Sequence, residues 1–349
     1  DAYEEPTIKR SRSHNYVSKE VINVRENLGI TEVANFSKHE FKGPDARKFL
    51  DHIMAGKLPK PGRISLTPML TYRGKLYGDL TVACFDENEF MVFGSGAAQE
   101  MHRRWFESHL RKFNLKYKNR SDEFHGLSIA GPKSRDLLQK VVRENVSNES
   151  FKFRDSRKMF VAGVPAIINR ISFTGELGYE IYVAPHFQLK LYEELTNAGK
   201  EFNIKPFGGR ALMSMRLEKN WGAWTLDYRP DFTAKETGLD VFINWDKDFI
   251  GKDSAQKDDS KNKLVPLIVE TNDIDVTFNE AVLKGDKSIG YITSGGFAHF
   301  VNKSVAFSYV DHNELISEKG IQVEINGDFF NCSIIKEPLY DPLGQKMRS

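Results

Sequence analysis

Two carboxylates in this chain stand where an acid needs a reason. Glu180 lies in Ser172–Val183, SFTGELGYEIYV. Thr174-Gly175-Glu176-Leu177-Gly178 is rich in turn formers, and Tyr179 to Val183 then alternates side chains across two faces, so the stretch reads as a turn opening a strand. An acid inside such an aromatic, β-forming run either faces water or has a positioned hydrogen-bonding partner, because burying it unpaired is costly. Asp79, in Tyr77-Gly78-Asp79-Leu80-Thr81-Val82, opens another strand. A carboxylate there can act as a base or steady a cationic nitrogen. Near its ordinary pKa it is ionised at neutral pH, which suits charge stabilisation at least as well as strong base work. On spacing alone, a turn aspartate bonding local backbone explains Asp79 as well, and a surface ion pair explains Glu180.

Other chemistry is not encoded. The nine histidines are scattered without metal-ligand spacing, and no Cys/His cluster or Ser-His-Asp arrangement accompanies them. Gly208-Gly209 lacks the strand–turn–helix context of a dinucleotide fingerprint, so no FAD or NAD site is expected within these residues. Met213, Met215, Trp221 and Trp224 read as core packing.

The elements that must carry the two acids follow from periodicity. Helical spacing covers Val17–Leu28, Pro44–Met54, Ala97–Lys112, Ser134–Glu144, Phe187–Ala198 and Gly209–Trp221. Strands are expected at Val33–Phe41, Arg63–Tyr72, Asp79–Phe85, Phe90–Gly94, Gly126–Ala130, Val164–Phe173 and Tyr179–Val183. This mixture implies α+β layers rather than a doubly wound sheet. Asp253–Lys263, DSAQKDDSKNK, is charged and poor in apolar residues, and short strands dominate after it. The expected division is therefore 1–16 as a linker or processed end, 17–252 as the main region with two interleaved subdomains, and 264–345 as an antiparallel β-barrel.

With 349 residues the chain can hold several cores. Lys and Arg total 50 against 48 Asp and Glu, which gives no reason for a nucleic-acid or polybasic membrane partner. No apolar run approaches a membrane span. Cys84 and Cys332 are far apart and read as reduced thiols. The first residue is not Met, so a natural polypeptide extending upstream is expected.

An ordered set of motifs adds a resemblance. Gly-Glu-Leu-Gly-Tyr-Glu (175–180), Arg216-Leu217-Glu218-Lys219 and Phe249-Ile250-Gly251-Lys252 match the folate-binding aminomethyltransferase family, nearest to the C-terminal folate domains of dimethylglycine and sarcosine dehydrogenases. Gly43-Pro44-Asp45-Ala46, Ala130-Gly131-Pro132-Lys133-Ser134-Arg135, Thr293-Ser294-Gly295-Gly296 and Pro338-Leu339-Tyr340-Asp341-Pro342 extend it in family order over nearly the whole chain. The resemblance implies a multi-domain folate-binding fold with a C-terminal barrel. It places Asp79 at the transfer edge of tetrahydrofolate, with Thr81 as its hydrogen-bonding neighbour. It gives Glu180 the pterin's amino group and adjacent N–H, with Tyr182, Phe173, Phe153 and Gly94 also lining the folate site. Phe173 stands where relatives often carry Tyr, keeping the ring face without the hydroxyl. Leu212, where the glycine-cleavage enzyme has Arg, and Val241, where relatives can have Tyr, are departures.

The implied activity is transfer of a one-carbon unit from an N-methylated amine, such as dimethylglycine or sarcosine, or its iminium product, giving 5,10-methylenetetrahydrofolate. An upstream FAD-containing dehydrogenase domain or subunit is the implied partner. The alternatives are a stand-alone tetrahydrofolate-dependent demethylase and a non-catalytic folate-binding accessory protein. The cysteine signature of the accessory group is missing around Phe249–Lys252. The expected compartment is the cytoplasm, or the mitochondrial matrix in a eukaryote.

Overall fold

The computed structural model describes residues 8–316 and 320–349, so residues 1–7 of the expected N-terminal linker lie outside the described residues. Helix α1 (Ser13–Glu26) buries Val17, Val21 and Val24 along one stripe and starts earlier than its apolar spacing implied. Leu28, expected at its end, instead opens strand β1 (Leu28–Glu32). The chain then leaves that sheet, and the expected strand Val33–Phe41 is broken there. Turn residues separate β1 from β2 (Ser37–Lys42), and the two belong to different sheets.

The second sheet is completed without interruption. After α2 (Ala46–Ile53) come β3 (Arg63–Leu70), β4 (Leu76–Asp86), β5 (Glu89–Gly94), α3 (Gln99–His109) and β6 (Lys116–Asn119). Its order is β3-β4-β5-β2-β6, antiparallel throughout. The chain then returns to the first sheet with β7 (His125–Ala130), α4 (Ser134–Val141), β8 (Ser156–Val161), β9 (Val164–Asn169), β10 (Gly178–Val183), α5 (Gln188–Gly199) and β11 (Ile204–Pro206). That sheet has six strands in the order β11-β1-β7-β10-β9-β8, with only the β1–β11 pairing parallel. Strand β9 stops at Asn169, short of the expected Phe173, because Arg170–Leu177 forms the loop that feeds β10.

Alternation along these strands builds the layers. Leu80, Val82, Phe90 and Val92 pack with Phe49, Leu50 and Ile53 of α2 on the outer face of one sheet. Leu127, Ile129, Tyr179 and Ile181 pack under Leu137, Leu138, Leu191 and Leu195 of α4 and α5 on the outer face of the other. The inner faces meet through Ile64, Ala83, Met91, Phe93, Ile167 and Tyr182. Helices thus cover the outside of two sheets that look at each other.

Helix α6 (Gly209–Glu218) packs its Ala211 and Met215 against Val21 and Val24 of α1. Asp253–Lys263 holds one short helical turn, Lys252–Gln256, before the last region. There β12 (Asn262–Val269), β13 (Ala281–Lys284), β14 (Lys287–Ala298), β15 (Lys303–Asp311), β16 (Ile321–Ile325) and β17 (Asp328–Ile334) close into an antiparallel barrel. Closure removes exposed strand edges. Both cysteines are free thiols, Cys84 buried and Cys332 half-buried. No helix among the described residues is long and apolar enough to cross a membrane.

Candidate functional site

Register places the candidate residues on facing surfaces. Directly opposed residues of an antiparallel pair share a face. In β4, Thr81 is opposite Leu66 on one side and Phe93 on the other, and Phe93 is opposite Lys38. Asp79 lies two residues before Thr81 and so shares this inner face, about 7 Å along the strand. On β10, Glu180 is opposite Ser128 and Asn169, while Tyr182 is opposite Gly126 and Ile167. The sheets touch where the Phe93 and Tyr182 rings lie 4.8 Å apart. Asp79, Thr81, Glu180 and Tyr182 therefore face the same inter-sheet space.

Glu180 is partly accessible but walled by protein. Burial pushes its carboxyl up to about 7, against the opposing pull of the Tyr182 hydroxyl and the Lys38 charge. The Tyr182 hydroxyl donates to Glu180 Oε2 at 2.8 Å. Sequence reading missed Lys38, which sits in the charged run NFSKHEFKG and looks like a surface residue. Its side chain is fully buried, its Nζ donates to the Ala34 and Phe36 carbonyls at 2.7 Å each, and it lies 5.6 Å from the Tyr182 ring centroid. Burial draws its ammonium down to about 8.

Asp79 differs from its expected state. It is not an acid near its ordinary pKa, because burial pushes it up to about 7, its own backbone N–H acting the other way. Near neutral pH it can therefore both take and give a proton. Tyr228, also missed, faces it: burial and then the Asp79 charge push the phenol up, and its hydroxyl accepts from the Gly222 N–H at 3.3 Å.

These shifts fix the sign of a pH effect. Asp79 and Glu180 have folded-state values near 7 against ordinary values of 3.8 and 4.5. The native state then holds more protons than the unfolded one between about pH 4 and 7, so their contribution to stability is present at low pH and lost as pH rises through about 7. Buried His39 and His102, drawn down to about 3 and about 4 from 6.5, act oppositely, and their contribution is lost as pH falls below about 6.5. Asp79→Asn/Glu180→Gln is expected to be more stable than the parent at pH 8, by on the order of 2 kcal/mol per carboxylate, and equal to it at pH 4. Urea midpoints at pH 4, 6 and 8 check this, and parallel pH curves for the two proteins would refute it.

The other expected site residues are spread around this space. Phe173, in the loop before β10, is half-buried and stacks on Trp221, with ring centroids 5.8 Å apart at 27°. Trp221, read as core, is thus a second ring beside the loop. Phe153 is half-buried in a segment that joins the sheets, where the Ile64 N–H donates to the Arg154 carbonyl at 2.9 Å. Gly94 falls on the other face. A Cβ there would lie 2.5 Å from Leu80 Cδ2 and 3.4 Å from His102 Nδ1, so core packing already accounts for glycine. Gly126 matters instead, since a Cβ there would lie 2.7 Å from Tyr182 Cδ1 and 3.0 Å from Val33 Cγ2. Gly126→Ala is expected to displace the Tyr182 ring at a cost of roughly 1–3 kcal/mol. Tyr182→Phe, which keeps the ring, should lose less in the same denaturation experiment.

Four of the motifs behind the resemblance, those holding Glu176, Arg216 with Glu218, Thr293 with Ser294, and Tyr340, meet in two buried charge networks around α6. Arg216 donates to Asp227 Oδ2 at 2.7 Å and Ser294 Oγ at 2.8 Å, while Thr293 and Ser294 donate to Asp227 Oδ1 at 2.5 and 2.7 Å, tying α6 to the barrel. On the other side, Arg25 of α1 binds Glu218 Oε2 at 2.6 Å and Glu176 Oε1 at 3.0 Å. Glu176 also accepts from the Tyr340 hydroxyl at 2.5 Å. These residues hold the loop before β10, and so Glu180, in place.

Comparison with known proteins shows the family and the fold. The GCVT N-terminal domain model matches residues 1–247, and the glycine cleavage T-protein C-terminal barrel domain matches residues 262–341. The chain belongs to the glycine cleavage T-protein, or aminomethyltransferase, family. An aminomethyltransferase from Caldanaerobacter subterraneus is 30% identical over 309 residues, covering 86% of this chain and 81% of that protein. Mitochondrial dimethylglycine dehydrogenase from Homo sapiens is 36% identical over 349 residues, covering 97% of this chain but 40% of its own length. This family member therefore spans well under half of that relative. The crystal structure of the glycine cleavage system aminomethyltransferase T from Bartonella henselae superposes with a TM-score of 0.84 at 22% identity, over 93% of this chain and 90% of that one, and shows the shared fold.

Proposed function

We propose that this aminomethyltransferase-family chain transfers a one-carbon unit from a methylated amine, or from its iminium form, to tetrahydrofolate. The observation that carries the reading is the pair of part-buried carboxylates, Asp79 and Glu180, on facing sheets of a family member, each pushed up toward neutrality by burial. The residues present fit a reduced pterin. Its flat ring needs apolar walls and an acceptor for adjacent N–H groups. The stacked Phe173–Trp221 rings and the tilted Phe93–Tyr182 pair supply the first, and Glu180 the second. Reduced folate would supply the nucleophilic nitrogen that accepts the one-carbon unit.

The chain's own residues divide the remaining work. Glu180 accepts paired N–H bonds from the ring edge and fixes its orientation. Asp79, poised between charge states near neutrality, takes a proton from the reacting amine or, ionised, stabilises positive charge in a poorly hydrated recess. Thr81 and Tyr228 offer hydroxyls near Asp79. The 36% identity to dimethylglycine dehydrogenase supports dimethylglycine or sarcosine as donor, with an FAD-containing domain or subunit as the oxidising partner. A second reading, an aminomethyltransferase or demethylase acting without that partner, draws on the 81% coverage of the Caldanaerobacter protein. Leu212, half-buried against α1 where the glycine-cleavage enzyme has Arg, counts against it.

Anaerobic calorimetric titration with tetrahydrofolate is the test. Saturable one-to-one binding that Glu180→Gln weakens by about 10–100-fold supports the proposal. No heat, with no competition by folinic acid, sinks it. Binding without transfer from any amine or iminium donor would leave only a folate-binding accessory role.

A further inference from the structure

One row across five strands of the six-stranded sheet is polar at every position. Thr31 is opposite Ser128, Ser128 opposite Glu180, Glu180 opposite Asn169, and Asn169 opposite Ser156. The neighbouring row through Tyr182 and Ile167 is largely apolar and packs against the other sheet. Asn169 is fully buried. Its Oδ1 accepts from Ser156 Oγ at 2.7 Å, on the β8 side. That bond leaves Nδ2 as the free end of the amide, and the residue opposite Asn169 on β10 is Glu180. The reverse amide orientation would set an acceptor oxygen beside a carboxylate. Among the described residues Nδ2 has no hydrogen-bond partner.

A buried amide donor without an acceptor is rare in a folded protein. Asn169 offers no surface for a ligand to touch directly, so its free N–H can act only through a neighbour. Glu180 is the acceptor across the strand, and the Tyr182 hydroxyl occupies its Oε2. The charged and titratable groups facing Glu180 are Tyr182 on its own strand and Lys38 on β2, with Asp122 acting in turn on Lys38. None of them approaches from the β9 side.

We propose that Asn169 is a positioning residue for Glu180: when a ring carrying adjacent N–H donors binds, the Asn169 Nδ2–H donates to the Glu180 carboxylate. With Tyr182 on one oxygen and Asn169 on the other, the carboxylate is held as an anion and its remaining lone pairs face the ring edge. The ligand class is a 2-amino-4-oxopteridine, and the inference rests on the folate reading given above.

The experiment titrates 5-formyltetrahydrofolate into the full chain between pH 5.5 and 8.5, comparing the parent with Asn169→Leu, which keeps volume and removes the donor. The expected result is about tenfold weaker binding at pH 7.5, or ~1.4 kcal/mol. The pH midpoint of binding should also move upward, because Glu180 has lost a group that favours its ionised form. A merely structural role would weaken binding without moving the midpoint, and that outcome, like binding within twofold of the parent, overturns the proposal. If circular dichroism shows Asn169→Leu unfolded, Asn169→Ser, which keeps a polar group in the row, is judged by the same criteria. Failure of the parent itself to bind would overturn the folate reading instead, so the two failures are distinguishable.

Discussion

Asp79→Asn should bind tetrahydrofolate almost as the parent does and transfer the one-carbon unit roughly 10²–10⁴-fold more slowly, the range typical of a lost general acid–base group. Glu180→Gln should do the reverse, weakening binding by about 10–100-fold through loss of a charged acceptor. The split follows from placement. Glu180, beside the Tyr182 hydroxyl, is built to read a ring edge, whereas Asp79 lies within β4 on the facing sheet and carries its proton near neutrality. The pH profile of transfer sharpens the test. The parent should show a limb near pH 7 from Asp79, and Asp79→Asn should lack it. The amide should also make the protein more stable at pH 8, since a dehydrated anion is removed; activity lost with stability gained is the signature of a strained functional group. Single-turnover rates and titrations on the same preparations decide it. A common loss of affinity and rate in both variants would mean the two acids do not have separate roles.

What was legible in the sequence was local. Alternation in Tyr179–Val183 put Glu180 and Tyr182 on one face, and their hydrogen bond bears this out. The texture change after Asp253–Lys263 announced the barrel. What stayed hidden depends on pairing between distant segments. Lys38 is buried only because β2 leaves the sheet of β1 and crosses to face β10, a break that the apolar run Val33–Phe41 does not display. Asn169 gains meaning only from its register with Glu180. Tyr228 is brought to Asp79 by a loop anchored at Asp227, a contact that no spacing reveals. Gly94 shows the converse. Its position looked suited to close ligand approach, yet strand parity turns its missing side chain toward Leu80.

Arg25→Met should destabilise the protein by roughly 3–5 kcal/mol, because it strands buried carboxylates without their cation. Arg25 is 3% exposed, and it serves Glu218, Glu176, the Thr174 carbonyl and the face of the Tyr340 ring, whose centroid is 3.8 Å away. Burial raises the Glu218 carboxyl even with Arg25 present, so desolvation already outweighs the attraction there. Removing Arg25 leaves Lys219, 3.5 Å from Asp341, as the nearby cation. Arg25→Met/Glu218→Gln should therefore lose less than the sum of its single variants, since the second change relieves the charge the first exposes. Folate affinity should fall further in Arg25→Met than a uniform loss of stability explains, because Glu176 and Thr174 belong to the loop that opens β10 and sets the direction of Glu180. Urea midpoints together with titrations at a temperature where each variant remains folded separate the two effects. If affinity stays at the parent's value while stability falls, the network serves the fold alone, and the Gly-Glu-Leu-Gly-Tyr-Glu motif divides into a structural acid at Glu176 and an independent binding acid at Glu180.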